Sequence, residues 1–379
     1  MPFLYKLFLI GGMLHVYVGL RIPPALLERA AWIWPPAILY LIVSFLLICA
    51  AFMRQRGVSG HLADLLAWTG FLAMGIFSFL LVGTFLRDIA LLIAWLFNGM
   101  TAVAPLWMER SAIWVLAMTA IASLISIYNA RRRASTKEIT IVAPNLPEAF
   151  NGYTIAQISD IHVGPTIKRD YVQSVVAAVN RLHADIIVVT GDVIDGEVQS
   201  LRPHTQPLAD LSAPDGVYLV TGNHEYYSGA HDWIREFQRL GLNVLLNQHT
   251  VIRRGACAMT VAGVTDYSAG AFDPEHRSDP MLAIADAPDT SFKLLLAHQP
   301  RSAHAAARAG FHLQLSGHTH GGQFLPWNFF VRLQQPFVAG LQRVGSLQVY
   351  ISRGTGYWGP PMRLGAPSEI TLLHLKTQR

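Results

Sequence analysis

The stretch Ser316-Gly317-His318-Thr319-His320-Gly321-Gly322-Gln323 closes an apolar run over residues 311–315 and sets two imidazoles one residue apart between glycines. In an extended segment alternate side chains point to one side, so His318 and His320 can grip one cation or two adjacent ones. Two nearby histidines taken alone are more often surface residues. Four other places in the chain give this pair its meaning.

From Lys137 onward, short β-branched runs alternate with helical patterns, which predicts a layered α/β domain. Strands are expected over residues 153–159, 185–190, 217–221, 259–264, 293–297, 311–315, 348–352 and 369–375. Helices are expected over 170–183, with Asp170 and Gln173 as a capping pair, and over 231–240. The polar residues fall where strands end: Ser159-Asp160-Ile161-His162, Gly191-Asp192-Val193-Ile194-Asp195, Gly222-Asn223-His224-Glu225, then His298, then His318 and His320. Ligands gather at the carboxyl ends of strands in open α/β sheets. Each residue alone has a plain explanation: Asp160 as a cap, Asn223 as a turn residue beside Gly222, His298 as a satisfied core histidine. Five strand ends with the same placement overturn those readings.

Carboxylate, amide and imidazole donors without a thiolate suit manganese, iron or zinc better than copper or an iron–sulfur centre. A carboxylate offering one oxygen to each of two cations holds them roughly 3.5–4 Å apart, where they acidify a bridging water and clamp a phosphate. Hydrolysis of a phosphoester is the reaction such a site would perform.

Asp160-x-His162, Gly191-Asp192, Gly222-Asn223-His224-Glu225, His298 and Gly317-His318-x-His320 together resemble the ordered motif set of the calcineurin-like metallophosphoesterase superfamily, over roughly residues 153–323. The Gly-His-Thr-His-Gly-Gly-Gln form, with Ser352-Arg353-Gly354-Thr355-Gly356 and residues 367–375, is similar to a membrane-associated bacterial branch of it. The resemblance implies an α/β fold, a layered β-sandwich flanked by helices. It implies one metal on Asp160, His162, Asp192 and His320 and a second on Asp192, Asn223, His298 and His318, with manganese preferred and a hydroxide bridging the pair as the attacking group. A cationic His224 would protonate the leaving oxygen or stabilise charge on the phosphate, and Glu225 would orient its ring. Asp195 is either a supporting residue or a turn residue before Gly196. Arg301 and Arg353 are candidate substrate contacts, against surface solvation as the plain reading. His183, His204, His231, His249, His276, His304 and His312 have no comparable placement and read as surface or packing residues. Superfamily pyrophosphatases that cleave nucleotide-linked lipid precursors carry Arg where this chain has His224, which disfavours that variant. A non-catalytic tethered sensing module is the other alternative, but none of the expected ligands is missing.

Of 379 residues, 52% are apolar and 14% charged, well below the roughly 25% charged of soluble proteins. Residues 1–133 hold ten Lys and Arg against four Asp and Glu, and residues 134–379 nineteen against twenty, so the basic excess belongs to the first part and a nucleic-acid substrate is disfavoured. Cys49 and Cys257 read as small buried hydrophobes rather than a disulfide framework. Five apolar runs, 3–20, 37–53, 65–86, 89–107 and 111–128, predict a transmembrane domain over residues 1–130 with four or five spans. The fourth run, flanked by Arg87-Asp88 and Glu109-Arg110, is the one that need not cross. Residues 131–149 then hold a linker, polar and basic over 129–135, and a first strand, and 150–379 the catalytic domain. The first run is read as retained, because Arg21-Ile22-Pro23-Pro24 follows it in place of a small-residue cleavage site. Trp32, Trp34, Trp107 and Trp114 lie near run ends, where an indole settles at the lipid interface or packs between helices.

The aromatic run Phe324, Trp327, Phe329 and Phe330 follows the metal loop directly, and Tyr357-Trp358 with Pro360-Pro361-Met362 forms a second cluster. Both suit either buried packing or an apolar mouth for a lipid-linked phosphate.

Arg21, Arg29, Arg87 and Arg131-Arg132-Arg133 share one side in a five-span arrangement, against Arg54, Arg56 and Arg110, and a four-span arrangement also keeps the triple arginine with the majority. Positive loops stay inside, so the catalytic domain is expected in the cytoplasm of a bacterial inner-membrane protein. A reporter active only outside the cytoplasm, fused after Arg379, is therefore expected to be silent; an active fusion would reverse the assignment.

Overall fold

A computed structural model describes residues 2–26, 34–54, 60–99, 105–289 and 292–378. The chain divides into two compact units: Met1–Tyr128 with Gly359–Met362, and Asn129–Trp358 with Arg363–Arg379.

Long apolar sequence without strand punctuation becomes helix in the first unit, because a helix satisfies its backbone groups internally. The helices are α1 (Pro2–Arg21), α2 (Trp34–Arg54), α3 (His61–Asn98) and α4 (Pro105–Arg131). Among the described residues three segments are long and apolar enough to cross a membrane: Phe8–Leu26, His61–Phe97 and Pro105–Arg131. Pro35–Ala50 is a shorter apolar helix. Five apolar runs thus become four helices, because the third and most of the fourth are continuous in α3. Arg87-Asp88 does not interrupt the helix, since its charges are satisfied in place. Asp88 accepts from Arg21 Nε at 2.7 Å and from the Tyr17 hydroxyl at 2.7 Å, while Arg87 donates to Ser111 Oγ at 2.8 Å and to the Met108 carbonyl at 3.1 Å. At about 1.5 Å per residue α3 is nearly twice as long as the roughly 30 Å hydrocarbon core is thick. Trp107 and Trp114 are exposed on α4. Arg29, Trp32 and Arg56 lie outside the described residues.

In the second unit β1 (Ser135–Ala143) is followed by β2 (Thr154–Ile158), α5 (Arg169–Asn180), β3 (Ile186–Thr190), α6 (Val198–Thr205), β4 (Val217–Val220), α7 (Asn223–Tyr227), α8 (Ala230–Arg239), β5 (Asn243–Val244), β6 (Gln248–Arg254) and β7 (Cys257–Gly263). Then come α9 (Pro280–Ala283), β8 (Phe292–Leu296), α10 (Ala303–Arg308), β9 (Leu313–Ser316), β10 (Gly340–Val344), β11 (Leu347–Ile351) and β12 (Glu369–Thr377). Two six-stranded sheets result, ordered β1-β12-β2-β3-β4-β5 and β10-β11-β9-β8-β7-β6.

The inner strands are buried on both faces, which is why they read as unbroken apolar runs. Between the sheets, Ile155, Ile186, Val188 and Val220 meet Val261, Leu294, Leu313 and Leu315. Outside the first sheet Val172, Val175 and Val179 of α5 and Trp233 and Phe237 of α8 cover Ala156, Ile187, Val189 and Leu219. Outside the second, Ala303 and Ala306 of α10 cover Leu295, Ala297 and Val349. This is the expected β-sandwich flanked by helices. Because β2, β3 and β4 run parallel, as do β7, β8 and β9, the carboxyl ends within each set emerge at one edge.

Two local expectations fail. The linker contracts to residues 132–134, because α4 continues to Arg131 and β1 begins at Ser135. The Asp170–Gln173 capping pair does not form: α5 starts one residue earlier, behind Lys168, and Asp170 lies in the first turn, where its charge favours the helix dipole.

Leu294, fully buried between the sheets, reports on this core. Leu294→Ala is expected to cost about 2–5 kcal/mol, read as a lower thermal unfolding midpoint of the second unit.

Candidate metal centre

The strand-end loops turn sharply enough to put several side-bearing residues in left-handed backbone: Asp160 (φ 54°), His162 (55°), Asp192 (51°), His318 (70°) and His320 (51°). That conformation costs of order 1–3 kcal/mol per residue and persists only where neighbours enforce it. Here the loops brace one another. Asp160 N–H donates to Gly191 O at 3.0 Å, His162 N–H to Asp192 O at 3.2 Å and Gly317 N–H to His298 O at 2.9 Å. Gln157 Nε2 reaches from the first sheet to Ser316 O of the second at 3.0 Å. Glycine is needed at two close approaches: a Cβ on Gly222 would stand 2.2 Å from Asp192 Oδ1, and one on Gly317 would stand 2.2 Å from Asp160 Oδ2.

Two triads of possible ligands that share no residue form at the strand ends, Asp160–His162–His320 and Asp192–His298–His318, and a third, His162–Asp192–His224, overlaps both. In the first, His162 Nε2 is 3.0 Å from His320 Nε2, and His320 Nε2 is 3.5 Å from Asp160 Oδ1. In the second, His298 Nε2 is 3.1 Å from Asp192 Oδ2 and 3.2 Å from His318 Nδ1. Asp192 Oδ2 also faces His162 Nε2 at 3.9 Å, which places this carboxylate between the triads. Asn223 opens α7 behind Gly222 and is buried. Among the described residues Asp160 Oδ2 and Asn223 Oδ1 have no hydrogen-bond partner. An orphaned buried acceptor costs about 1–3 kcal/mol, which a bound cation would remove. Two ring nitrogens facing each other 3.0 Å apart, two orphaned oxygens and a shared carboxylate fit a pair of divalent cations. The donors are nitrogen and oxygen alone, in keeping with manganese, iron or zinc.

The rings are held from behind. Asp195 Oδ1 is 3.0 Å from His162 Nδ1 and 2.6 Å from His224 Nδ1, so both Nδ1–H groups donate to one carboxylate and both Nε2 atoms face the cluster. His298 Nδ1–H donates to Thr190 O at 2.7 Å, which aims its Nε2 at Asp192. Asp195 is therefore a support, not merely a turn residue, and the Asp192-x-x-Asp195 spacing was the available signal. Glu225 differs from expectation. Its carboxylate accepts the backbone N–H groups of Gly222 at 2.6 Å, Asp192 at 3.0 Å and Val193 at 2.8 Å. It pins two loops together, and the orientation of His224 belongs to Asp195. Arg363, fully buried and unremarked in the sequence, donates to His320 O at 3.0 Å, Arg353 O at 2.8 Å and Ala366 O at 3.1 Å, with Nη2 3.0 Å from His320 Nδ1.

Charge follows the same layout. Burial disfavours a cationic His224, but the carboxylates of Asp192 and Asp195 outweigh it and raise this ring to about 9. Burial and the neighbouring His298 lower His318 to about 3, leaving the ring neutral with one nitrogen free to offer an electron pair. Burial raises Glu225 to about 7.

At the rim, the rings of Tyr227 and Trp358 lie 5.2 Å and 5.9 Å from that of His224. Tyr357, by contrast, is buried in the core. Arg301 is exposed, with its Nε donating to Gln334 O. Arg353 is not presented alone, because Glu369 accepts from its Nη1 at 3.3 Å. Phe324 is buried, whereas Leu325, Trp327, Phe329, Phe330 and Leu333 are exposed, the last at 80%. Beyond Phe324, which is packed inside, the aromatic run is a surface strip.

Residues 153–322 match the model of the calcineurin-like phosphoesterase family. The chain is 36% identical over 275 residues to a transmembrane protein with metallophosphoesterase domain from Danio rerio, across 70% of this chain and 63% of that one. A bovine protein (Bos taurus) of the same description is 37% identical across 62% of its length, so the chain spans less than two thirds of these relatives. An uncharacterized metallophosphoesterase of Aquifex aeolicus is 31% identical over 242 residues, 63% of this chain and 91% of that one.

Gly222→Ala would drive a methyl group against Asp192 Oδ1. The variant is expected to lose most of its bound divalent metal while remaining folded, which elemental analysis with circular dichroism checks; full metal content would refute the close-approach argument.

Proposed function

This chain belongs to the calcineurin-like metallophosphoesterase family, and we propose that it is a membrane-embedded phosphoesterase that holds two divalent cations, manganese preferred. The observation that carries this reading is the pair of ligand triads meeting at Asp192, with His224 fixed beside them. Asp160, His162, Asp192 and His320 hold one cation, and Asp192, Asn223, His298 and His318 the other. Cations so held supply an acidified water and neutralise charge on the phosphate.

The protein's own groups do the rest. Asp192, through one carboxylate, keeps the two ligand sets in register. His224, cationic under the pull of Asp192 and Asp195, presents Nε2–H to the leaving oxygen and gives up that proton as the ester bond breaks. Asp195 keeps the ring in the tautomer and rotation this requires, because Nδ1–H is already committed to it. Tyr227 and Trp358 pack around the imidazole, and Arg301 is the rim cation left to meet a phosphate oxygen.

The strip Leu325, Trp327, Phe329, Phe330 and Leu333 supports a substrate class. An exposed apolar band running directly on from the metal loop favours a phosphate ester or pyrophosphate carried on a lipid. Of these, esters are preferred over nucleotide-lipid pyrophosphates because His224 stands where those pyrophosphatases carry arginine. In the four-helix reading Arg131-Arg132-Arg133 lie on the side of Arg54 and Arg56, against Arg21 and Arg29, which supports a cytoplasmic catalytic domain in a bacterial inner membrane.

His224→Ala is expected to keep its metals yet slow turnover by about 10²-fold or more, whereas Asp192→Asn is expected to lose both cations and activity together. Purified full-length protein with added manganese, assayed on lipid phosphates in micelles and on soluble mono- and diesters, measures both. Full activity and metal content in Asp192→Asn would overturn the dinuclear assignment, and no preference for the lipid would remove the lipid-linked substrate.

A further inference from the structure

Two histidines that the sequence gives no reason to single out come together beside Tyr226 of α7, their rings 5.0 Å apart. His231 lies in the first turn of α8, and His276 ends the short 3-10 turn Pro274–His276, which Asp273 caps. Asp273 Oδ1 accepts the Glu275 N–H at 3.0 Å, so the cap fixes the carboxylate and turns Oδ2 outward. That Oδ2 is 2.9 Å from His231 Nε2 and 4.0 Å from His276 Nε2, and the three atoms lie within 4.8 Å of one another. The second distance is beyond hydrogen-bond range, and a shift of about half an ångström brings it to the separation of two ligands on one tetrahedral ion with metal–ligand bonds of about 2.0–2.2 Å.

The ring of His276 is also oriented for this. Its Nδ1 is 2.8 Å from the Tyr226 hydroxyl oxygen, and that hydroxyl is 3.4 Å from Thr221 Oγ1. When Tyr226 donates to Thr221, it accepts Nδ1–H from His276, and Nε2 is left as a lone pair directed at Asp273. A histidine ligand held through its other nitrogen is the usual support of a metal site.

We propose that His231, Asp273 and His276 form a third metal site, separate in all its residues from the two triads, that takes zinc. Two imidazoles and one carboxylate with a position open to solvent are a three-ligand zinc set. Occupancy ties the start of α8 to the 266–276 loop. Phe272 of that loop packs 5.5 Å from Tyr227, the ring 5.2 Å from His224, so zinc here fastens the residues packed beside His224.

The test is zinc content of the full-length protein in detergent after dialysis against micromolar zinc, for wild type, His231→Gln and His276→Gln. His231 is 64% exposed, so its replacement leaves packing intact. Wild type is expected to hold one zinc more than either variant, and hydrogen exchange in the 266–276 loop is expected to slow with zinc in wild type alone. Equal zinc content in all three proteins overturns the site. Because the comparison reads a difference of one ion, it stands or falls apart from the dinuclear centre.

Discussion

Asp192 is the group around which the catalytic unit is arranged. Its carboxylate is 2% exposed, faces the rings of His162, His224 and His298, and accepts the His224 backbone N–H at 2.9 Å. A buried carboxylate is costly unless charge and hydrogen bonds surround it. Every feature nearby meets that cost: the bare α-carbon of Gly222 leaves it room, Glu225 grips its backbone, and Asp195 aims two rings toward it. Coordination by the two cations proposed above would complete its partners.

The strain in the loops is the counterpart of this convergence. Five of the side chains in the cluster stand on left-handed backbone, held by the hydrogen bonds between the loops and by the two sheets beneath. The apolar layer between Ile186, Val188 and Val220 on one side and Val261, Leu294 and Leu313 on the other makes the strand ends rigid. The aromatic strip beyond Gln323 lies past that rigid base and folds only into short 3-10 turns, Trp327–Phe329 and Val331–Leu333, which leaves its rings on the surface.

The membrane unit shows how local charge reading misleads. Arg87-Asp88 looks like a break between two spans, because a charge pair in an apolar run normally marks a loop. Within α3 the pair stays, since Tyr17, Arg21 and Ser111 from neighbouring helices satisfy it. Partners twenty to seventy residues away determine whether a charge ends a helix, and no window of sequence contains them.

Sequence alone determined the strands that carry the site, though not β5, β6 or β10, together with the strand-end placement of Asp160, His162, Asp192, Asn223, His298, His318 and His320 and the division into an apolar first part and an α/β second part. These were readable because period, turn residues and donor types are local properties. Only the tertiary structure decided that Asp195 rather than Glu225 holds His224, that Arg353 is occupied by Glu369, that Arg363 lies buried beneath His320, and that His231 and His276 meet at Asp273. The physical reason is that hydrogen-bond partnership depends on where a side chain's neighbours stand in space. In this fold those neighbours come from different strands and loops, and the stacking of the two sheets sets their distances.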